Sequence, residues 1–429
     1  MVPGDEGTPQ RYRMTVSPVR PTHPLTHAGV RGFALFFAVS YFVQGLADLS
    51  SGLANQPVVY LLKEEMGLSA AQVGVFFALL GLGWTIKPLY GVLSDLFPLA
   101  GFHRKSYLLC MSALGTGSWV ALSFLPPQYN VVLLFLTLCA ATLAFCDVMI
   151  DALMVETGRP LGLTGSFQAV QWAAISLAFT LAQLGGGYLA TYAAPQHVFL
   201  VSAGFPLATF FVTLRYVREP RARTDRARRR DAGASLRQAA RSPRLWLVMG
   251  FLFFWNFSPS LGTPLVYYQA DVLQFSKVFI GTLGAVHNAA GALGALLFLV
   301  YCRNLPLDTL LYVAVGLGVA STLCFIGLVG PKSATVIFLF FGAITQFTHL
   351  AVLDLAARSC PVRAEGTVFA LLMSSLNVGR AGATFLGGWL YDHWGLTPLI
   401  LTSATVTALC WFLVPLLHMR GTPALQAAS

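Results

Sequence analysis

Residues 57–74 read PVVYLLKEEMGLSAAQVG, and residues 264–281 read PLVYYQADVLQFSKVFIG. Laid over one another at a shift of 207, Pro57 meets Pro264, Val59 meets Val266, Tyr60 meets Tyr267, Ser69 meets Ser276 and Gly74 meets Gly281. A shift of 201 pairs Gly165, Ala169, Gly186, Gly187 and Leu189 with Gly366, Ala370, Gly387, Gly388 and Leu390. Each match is modest by itself, but equivalent segments match in order. The chain reads as one unit used twice.

What that unit consists of follows from composition. Of 429 residues 56% are apolar and only 10% charged, with a mean hydropathy of +0.68. A soluble domain is about 25% charged, and a soluble protein of this size needs far more polar surface to cover its core. The chain is therefore an integral membrane protein. About twelve apolar segments are long enough to cross roughly 30 Å of hydrocarbon at 1.5 Å per residue: 31–52, 72–94, 106–125, 131–152, 165–190, 197–215, 245–268, 278–300, 309–330, 334–356, 366–390 and 397–418. The short alternating strands of an outer-membrane barrel do not appear, so the spans are helices. The first thirty residues are polar and basic, without the apolar stretch of a removable signal peptide. Seven scattered cysteines, with no CxxC, imply neither a disulfide framework nor a metal site. The runs GLGW, LGGGY and LGGW suit close helix packing rather than phosphate binding, and no cofactor is implied.

Charge sets the expected orientation. Eleven arginines fall between 215 and 244, and with twelve spans and both termini on one side, 22 of the 27 Lys and Arg gather on that side. That is the positive-inside pattern, so the termini and central loop are expected in the cytoplasm. Topology and contact with anionic lipid explain the basic loop without nucleic acid. The expected organisation is a tail (1–30), a six-helix bundle (31–215), a basic linker (216–244), a second six-helix bundle (245–418) and a short tail (419–429). Two six-helix halves related by a parallel repeat are the architecture of the major facilitator transporters.

Ionisable groups inside spans are costly and mark a pathway or site by default. Here they are Asp48 in span 1, Lys87 in span 2, Asp147 and Asp151 in span 4, His287 in span 8, His349 and Asp354 in span 10, and Arg380 in span 11. Spans 3, 6, 9 and 12 carry no charge in their interiors, as a polar cavity inside an apolar outer ring requires. Spacing agrees: Tyr41, Gln44 and Asp48 share a helix face, and Asn377, Arg380 and Thr384 share another. Gln168, Gln171 and Trp172 on span 5 and Asn288 on span 8 add amides and a ring suited to a planar, partly anionic solute.

At this point the motifs YFVQG (41–45), WTIKPLYGVLSD (84–95), DVMIDALMVE (147–156), GSFQAVQW (165–172) and CPVRAEGTVFALLMSSLNVG (360–379) resemble the folate–biopterin transporter family, a branch of the major facilitators. The resemblance covers most of the chain in order. Gly83, His103 and Arg380 depart from the family pattern. It implies uptake of pterins or folates, in many facilitators by symport with protons. Gly91, Asp95, Gly101, Arg104 and Lys105 resemble the facilitator signature between spans 2 and 3, whose basic residues pair with acids at the end of span 4. Asp151, Glu156 and Arg159 are placed to join that cytoplasmic gate.

Several roles stay open on sequence alone. Lys87 either snorkels to the interface or reaches a carboxylate in the cavity, with Asp147 the first choice. Asp147 and Asp151 are either gate residues or, for Asp147, a proton or substrate site. Arg380 either clamps a substrate carboxylate or pairs with Asp354 or Asp48. His287 and His349 suit hydrogen-bonded core positions or proton relays, and Trp172 suits packing or ring stacking. The expectation is a monomeric twelve-helix carrier, not an enzyme, embedded in lipid and binding a small folate- or pterin-like molecule with a proton. Carriage of S-adenosylmethionine or a muropeptide, or a receptor role without transport, are the alternatives. The 22 arginines against five lysines favour a GC-rich bacterium and its inner membrane.

Overall fold

The computed structural model describes residues 27–158, 161–221, 241–298, 300, 305–360 and 365–417. Arg159, most of the linker, most of the N-terminal tail and all of the C-terminal tail lie outside them. Among the described residues helices dominate, and the sole β pairing is one isolated bridge between Leu99 and Phe102. Eleven helices are long and apolar enough to cross a membrane. The twelfth segment, span 7, is cut short: Pro243–Asn256 is followed by a break and then by Gly262–Tyr267 and a π-helical turn, Tyr268–Val272.

Span 1 is built the same way. His27–Ala47 ends early, and after a break the chain resumes as Asn55–Tyr60 and a π-helical turn, Leu61–Glu65. The short helix and π-helical turn after each break coincide residue for residue at the 207 shift. The turns that follow coincide too: Gly67 and Gln274 both adopt positive φ, at 65° and 55°. Ser69 and Ser276 then cap spans 2 and 8 by accepting from the Gln72 and Phe279 amides. Twelve spans in two pseudo-symmetric six-helix halves is thus the fold, as expected.

Span 1 was expected to run to residue 52. It stops because DLSSG (48–52) is a turn sequence. Asp48 Oδ1 accepts from the Ser50 amide (2.8 Å), the Ser50 hydroxyl (2.5 Å) and the Ser51 amide (2.8 Å). A Cβ on Gly52 would lie 2.2 Å from the Asp48 carbonyl oxygen, so only glycine closes this turn.

Span 2 is segmented into Ala70–Leu80, Leu82–Thr85 and Lys87–Leu96. Pro88 lacks a backbone donor and belongs in a first helical turn, so the helix restarts at Lys87, just past Ile86. Spans 3 to 6 are Lys105–Phe124, Tyr129–Gly158, Thr164–Tyr192 and Pro195–Tyr216. In the second half, spans 8 to 12 are Lys277–Leu297, Leu307–Leu323, Pro331–Arg358, Glu365–Trp394 and Leu396–Leu413. Spans 8 and 10 pack at backbone contact, since a Cβ on Gly342 would stand 2.1 Å from the His287 carbonyl oxygen.

Each half owns its cores. Phe36, Phe37, Leu108, Met149 and Phe167 fill the first half near the linker side. Val248, Leu311, Ala351 and Leu372 do the same in the second. On the far side the division blurs: Tyr267 of span 7 enters a core otherwise made by spans 1, 2, 3, 4 and 6.

Candidate functional site

The polar groups of the first half converge. Tyr41 and Gln44 lie on one face of span 1, and Asp147 and Asp151 lie four residues apart on span 4. Gln44 Nε2 donates to Asp147 Oδ1 at 2.5 Å. Lys87 Nζ forms an ion pair with Asp147 Oδ2, and the Tyr41 hydroxyl donates to Asp151 Oδ1. The Asp147 side chain is only 7% exposed and Lys87 20%, so this is an interior pair rather than a snorkelling lysine. The ammonium also sits over the Trp84 ring, 4.5 Å from its centroid. The Trp84 carbonyl in turn accepts from Asn377 Nδ2 of the opposite half at 3.0 Å. Lys87, the residue that restarts span 2, therefore joins the carboxylate to a contact between halves.

The second half contrasts with this. Asp354 was a candidate partner for Arg380, but it is held by Arg358 one turn on, at 2.9 and 3.0 Å. Asp48, the other candidate, closes the span 1 turn. Arg380 is exposed and lies within electrostatic reach of Asp48 and His349. His349 faces Trp172 of span 5 across 6.3 Å. His287 packs against Phe341 and Phe338, and its Nδ1 is buried without a partner among the described residues. Asn288 Nδ2 donates back to the Gly284 carbonyl at 3.0 Å. A cavity of about 100 Å³ opens between spans 5, 8 and 10, lined by Trp172, His287, Asn288, Thr345 and Gln346 among others. Gln168 lies exposed one turn from Trp172, and Gln171 is buried. Among the described residues no His, Cys, Asp and Glu cluster could hold a metal ion.

This geometry is met by sequence relatives. The BT1 family model matches residues 44–417. The chain belongs to the BT1 family. It is 31% identical over 373 residues to a folate-biopterin transporter of Synechocystis, covering 82% of this chain and 73% of that protein. It is 26% identical to a probable folate-biopterin transporter of Arabidopsis thaliana (85% and 89% covered) and 25% identical to folate transporter 1 of Plasmodium falciparum (82% and 72%). Solved structures with the same fold include the nucleoside transporter NupG, at a TM-score of 0.67 and 12% identity over 91% of this chain and 98% of that one. A D-xylose-proton symporter matches at 0.67 and 13%, over 90% and 97%. This BT1 family member is thus a multi-pass membrane transporter and not an enzyme.

The rest of the BT1 chain's polar network lies at its two ends. On the linker side, Arg104 Nη2 contacts Asp95 Oδ1 at 2.6 Å and Glu156 Oε1 at 3.1 Å, and Nη1 donates to Ser94 Oγ. Burial opposes the Arg104 charge, but Glu156 and Asp95 outweigh it and hold its pKa above the ordinary value. Ser94 Oγ also donates to the Gly91 carbonyl, and Gly101 takes positive φ (82°) in the loop before Arg104. Asp151, grouped with this gate from sequence, is held instead by Tyr41, deeper in span 4. Lys105 joins through its backbone: its amide donates to Glu219 Oε2 at 2.8 Å, with the Arg104 and His103 amides beside it at 3.0 and 2.8 Å on the same carboxylate. Glu219, an anion on the N-terminus of span 3, was missed because nothing in the periodicity of a linker marks it.

On the far side, Lys63 pairs with Asp271 at 2.5 Å and Lys277 with Glu64 at 2.6 Å. Glu64 and Asp271 are equivalent at the 207 shift. Each lysine also lies over a tyrosine of the repeat: Lys63 over Tyr267 at 5.2 Å and Lys277 over Tyr60 at 4.3 Å. The Tyr267 hydroxyl donates to the Leu68 carbonyl, and Gln56 Nε2 to the Lys277 carbonyl. Spans 5 and 8 touch where a Cβ on Gly281 would lie 2.5 Å from the Gln183 carbonyl and 3.0 Å from the Gly187 Cα. The sequence offered a signal here, since Tyr60 and Tyr267 coincide in the repeat, but the lysines counted only toward orientation.

Proposed function

We propose that this chain is a secondary carrier of a folate- or pterin-like solute, working by alternating access and moving a proton with its cargo. The substrate class rests on the names of its relatives and on an interior set with amides, rings and one exposed arginine. The observation that carries the mechanism is the Gln44–Asp147–Lys87 network at the foot of an inter-half contact, beneath a far side latched by two crossed ion pairs. The latched side is the external face in this reading, with the termini and basic linker in the cytoplasm of a bacterial cell. The halves 31–215 and 245–418 are the moving bodies, and one chain suffices.

Asp147 is the coupling residue. While Lys87 holds it, the carboxylate is charged and compensated. A solute that competes for Lys87 leaves Asp147 without its counter-ion in a site of low polarity, and the favourable response is to take a proton. The Arg104, Asp95 and Glu156 cluster acts as the gate on the linker side, forming in one state and parting in the other.

The test is solute counterflow in proteoliposomes loaded with unlabelled folate or biopterin. The reading predicts exchange of the labelled pteridine and none of S-adenosylmethionine. A purified chain that exchanges neither pteridine overturns it, and a receptor gives no exchange of any solute.

A further inference from the structure

Nearly every charge inside this bundle is matched. Lys87 has Asp147, Asp151 has the Tyr41 hydroxyl, and Asp354 has Arg358. Arg380 is the exception. It sits midway along span 11, on the face that carries Asn377 and Thr384. That face is turned to the other half: Asn377 donates to the Trp84 carbonyl, and the Thr384 carbonyl oxygen lies 2.8 Å from where a Gly74 Cβ would stand. The residue is exposed, its electrostatic neighbours are Asp48 and His349, and no carboxylate among the described residues comes within ion-pair distance.

The two carboxylates that the sequence offered as its partners are engaged elsewhere. Asp48 Oδ1 already accepts three hydrogen bonds within its own turn, and Asp354 is gripped by Arg358. An arginine in a membrane interior with no close ion pair is costly, and the field of Asp48 and water in a cavity compensate it only in part. Such a group is retained where a counter-ion arrives from outside. The guanidinium fork matches a carboxylate through two parallel hydrogen bonds, and the surfaces beside it suit the rest of a pteridine. Trp172 offers a half-exposed ring against His349, and the cavity between spans 5, 8 and 10 carries the Asn288 and Gln346 amides.

We infer that Arg380 reads the acidic end of the solute, so that this carrier prefers carboxylated pteridines such as folate over uncharged ones such as biopterin. The inference rests on the pteridine reading above and goes beyond it by fixing which pteridine and by which residue.

The experiment compares initial uptake of labelled folate and biopterin by the full chain in liposomes, for the wild type, Arg380→Gln and Arg380→Lys. The expected result is a folate-over-biopterin preference that falls roughly tenfold or more in Arg380→Gln, mostly through KM. Arg380→Lys should fall between, because a point charge lacks the fork. Thermal unfolding of each variant separates a lost contact from a lost fold. Equal losses for both solutes, or a preference unchanged by Arg380→Gln, overturn the inference while leaving the pteridine reading intact. A wild type that carries neither solute sinks both.

Discussion

Lys87 and Arg380 are the interior cations of the two halves, and the protein treats them in opposite ways. Lys87 is enclosed: a carboxylate on one side, the Trp84 ring on the other, and Gln44 holding the second oxygen of its partner. Arg380 stands open, with Asp48 and Asp354, the acids offered as its partners, occupied by local hydrogen bonds. In the reading proposed above, the closed pair is opened by a solute that competes for Lys87. An open cation waits for a ligand. The difference teaches that the repeated fold did not bring repeated polar contacts; under the same proposed reading, the first half serves coupling and the second recognition.

Stability measurements can break that comparison. Lys87→Ala leaves the buried Asp147 without its partner, and removing one partner of such a pair costs about 3–5 kcal/mol. A large drop in Tm in detergent is expected, with much of it recovered when Asp147→Asn is added. Arg380→Gln removes a charge that has no partner, so its Tm should stay level or rise. Equal destabilisation by the two would mean that Arg380 is paired after all.

Glu219→Gln sharpens the picture at the linker side, where one carboxylate accepts from the amides that open span 3. Loss of a helix-terminal anion costs about 1 kcal/mol, read as a small fall in Tm with the Arg104 cluster intact. The smallest effect on stability is expected at the latch. Glu64→Gln with Asp271→Asn removes two ion pairs whose acids are 45% and 51% exposed, each worth about 0–1 kcal/mol. The Tm should barely move, while a cysteine placed at Gln56 becomes more reactive from the far side.

Much of this was legible before the fold was seen. Span count, the two halves and the polar interior all follow from hydropathy and a shift of 207, and Asp147 is the first choice of partner for Lys87, with snorkelling as the alternative. What escaped was local chemistry overriding helical periodicity. Asp48 shares a helical face with Tyr41 and Gln44 only if the helix continues, and DLSSG ends it because a short acidic side chain binds the next amides. Asp354 and Arg358 stand at i and i+4, a pairing that spacing alone permits, yet the interior position drew attention to Arg380 instead. The π-helical turns after Tyr60 and Tyr267 lie outside the sequence expectations, which run span 7 as one helix to residue 268.

The division of labour is tested most directly by measuring, in the same liposomes, folate accumulation driven by an imposed pH gradient and folate preference at equal pH. Asp147→Asn should exchange folate and keep the preference but no longer accumulate it on the gradient. Arg380→Gln should keep its response to the gradient and lose the preference. If Asp147→Asn still concentrates folate as the wild type does, or if both variants lose the same property, coupling and recognition do not reside in separate halves.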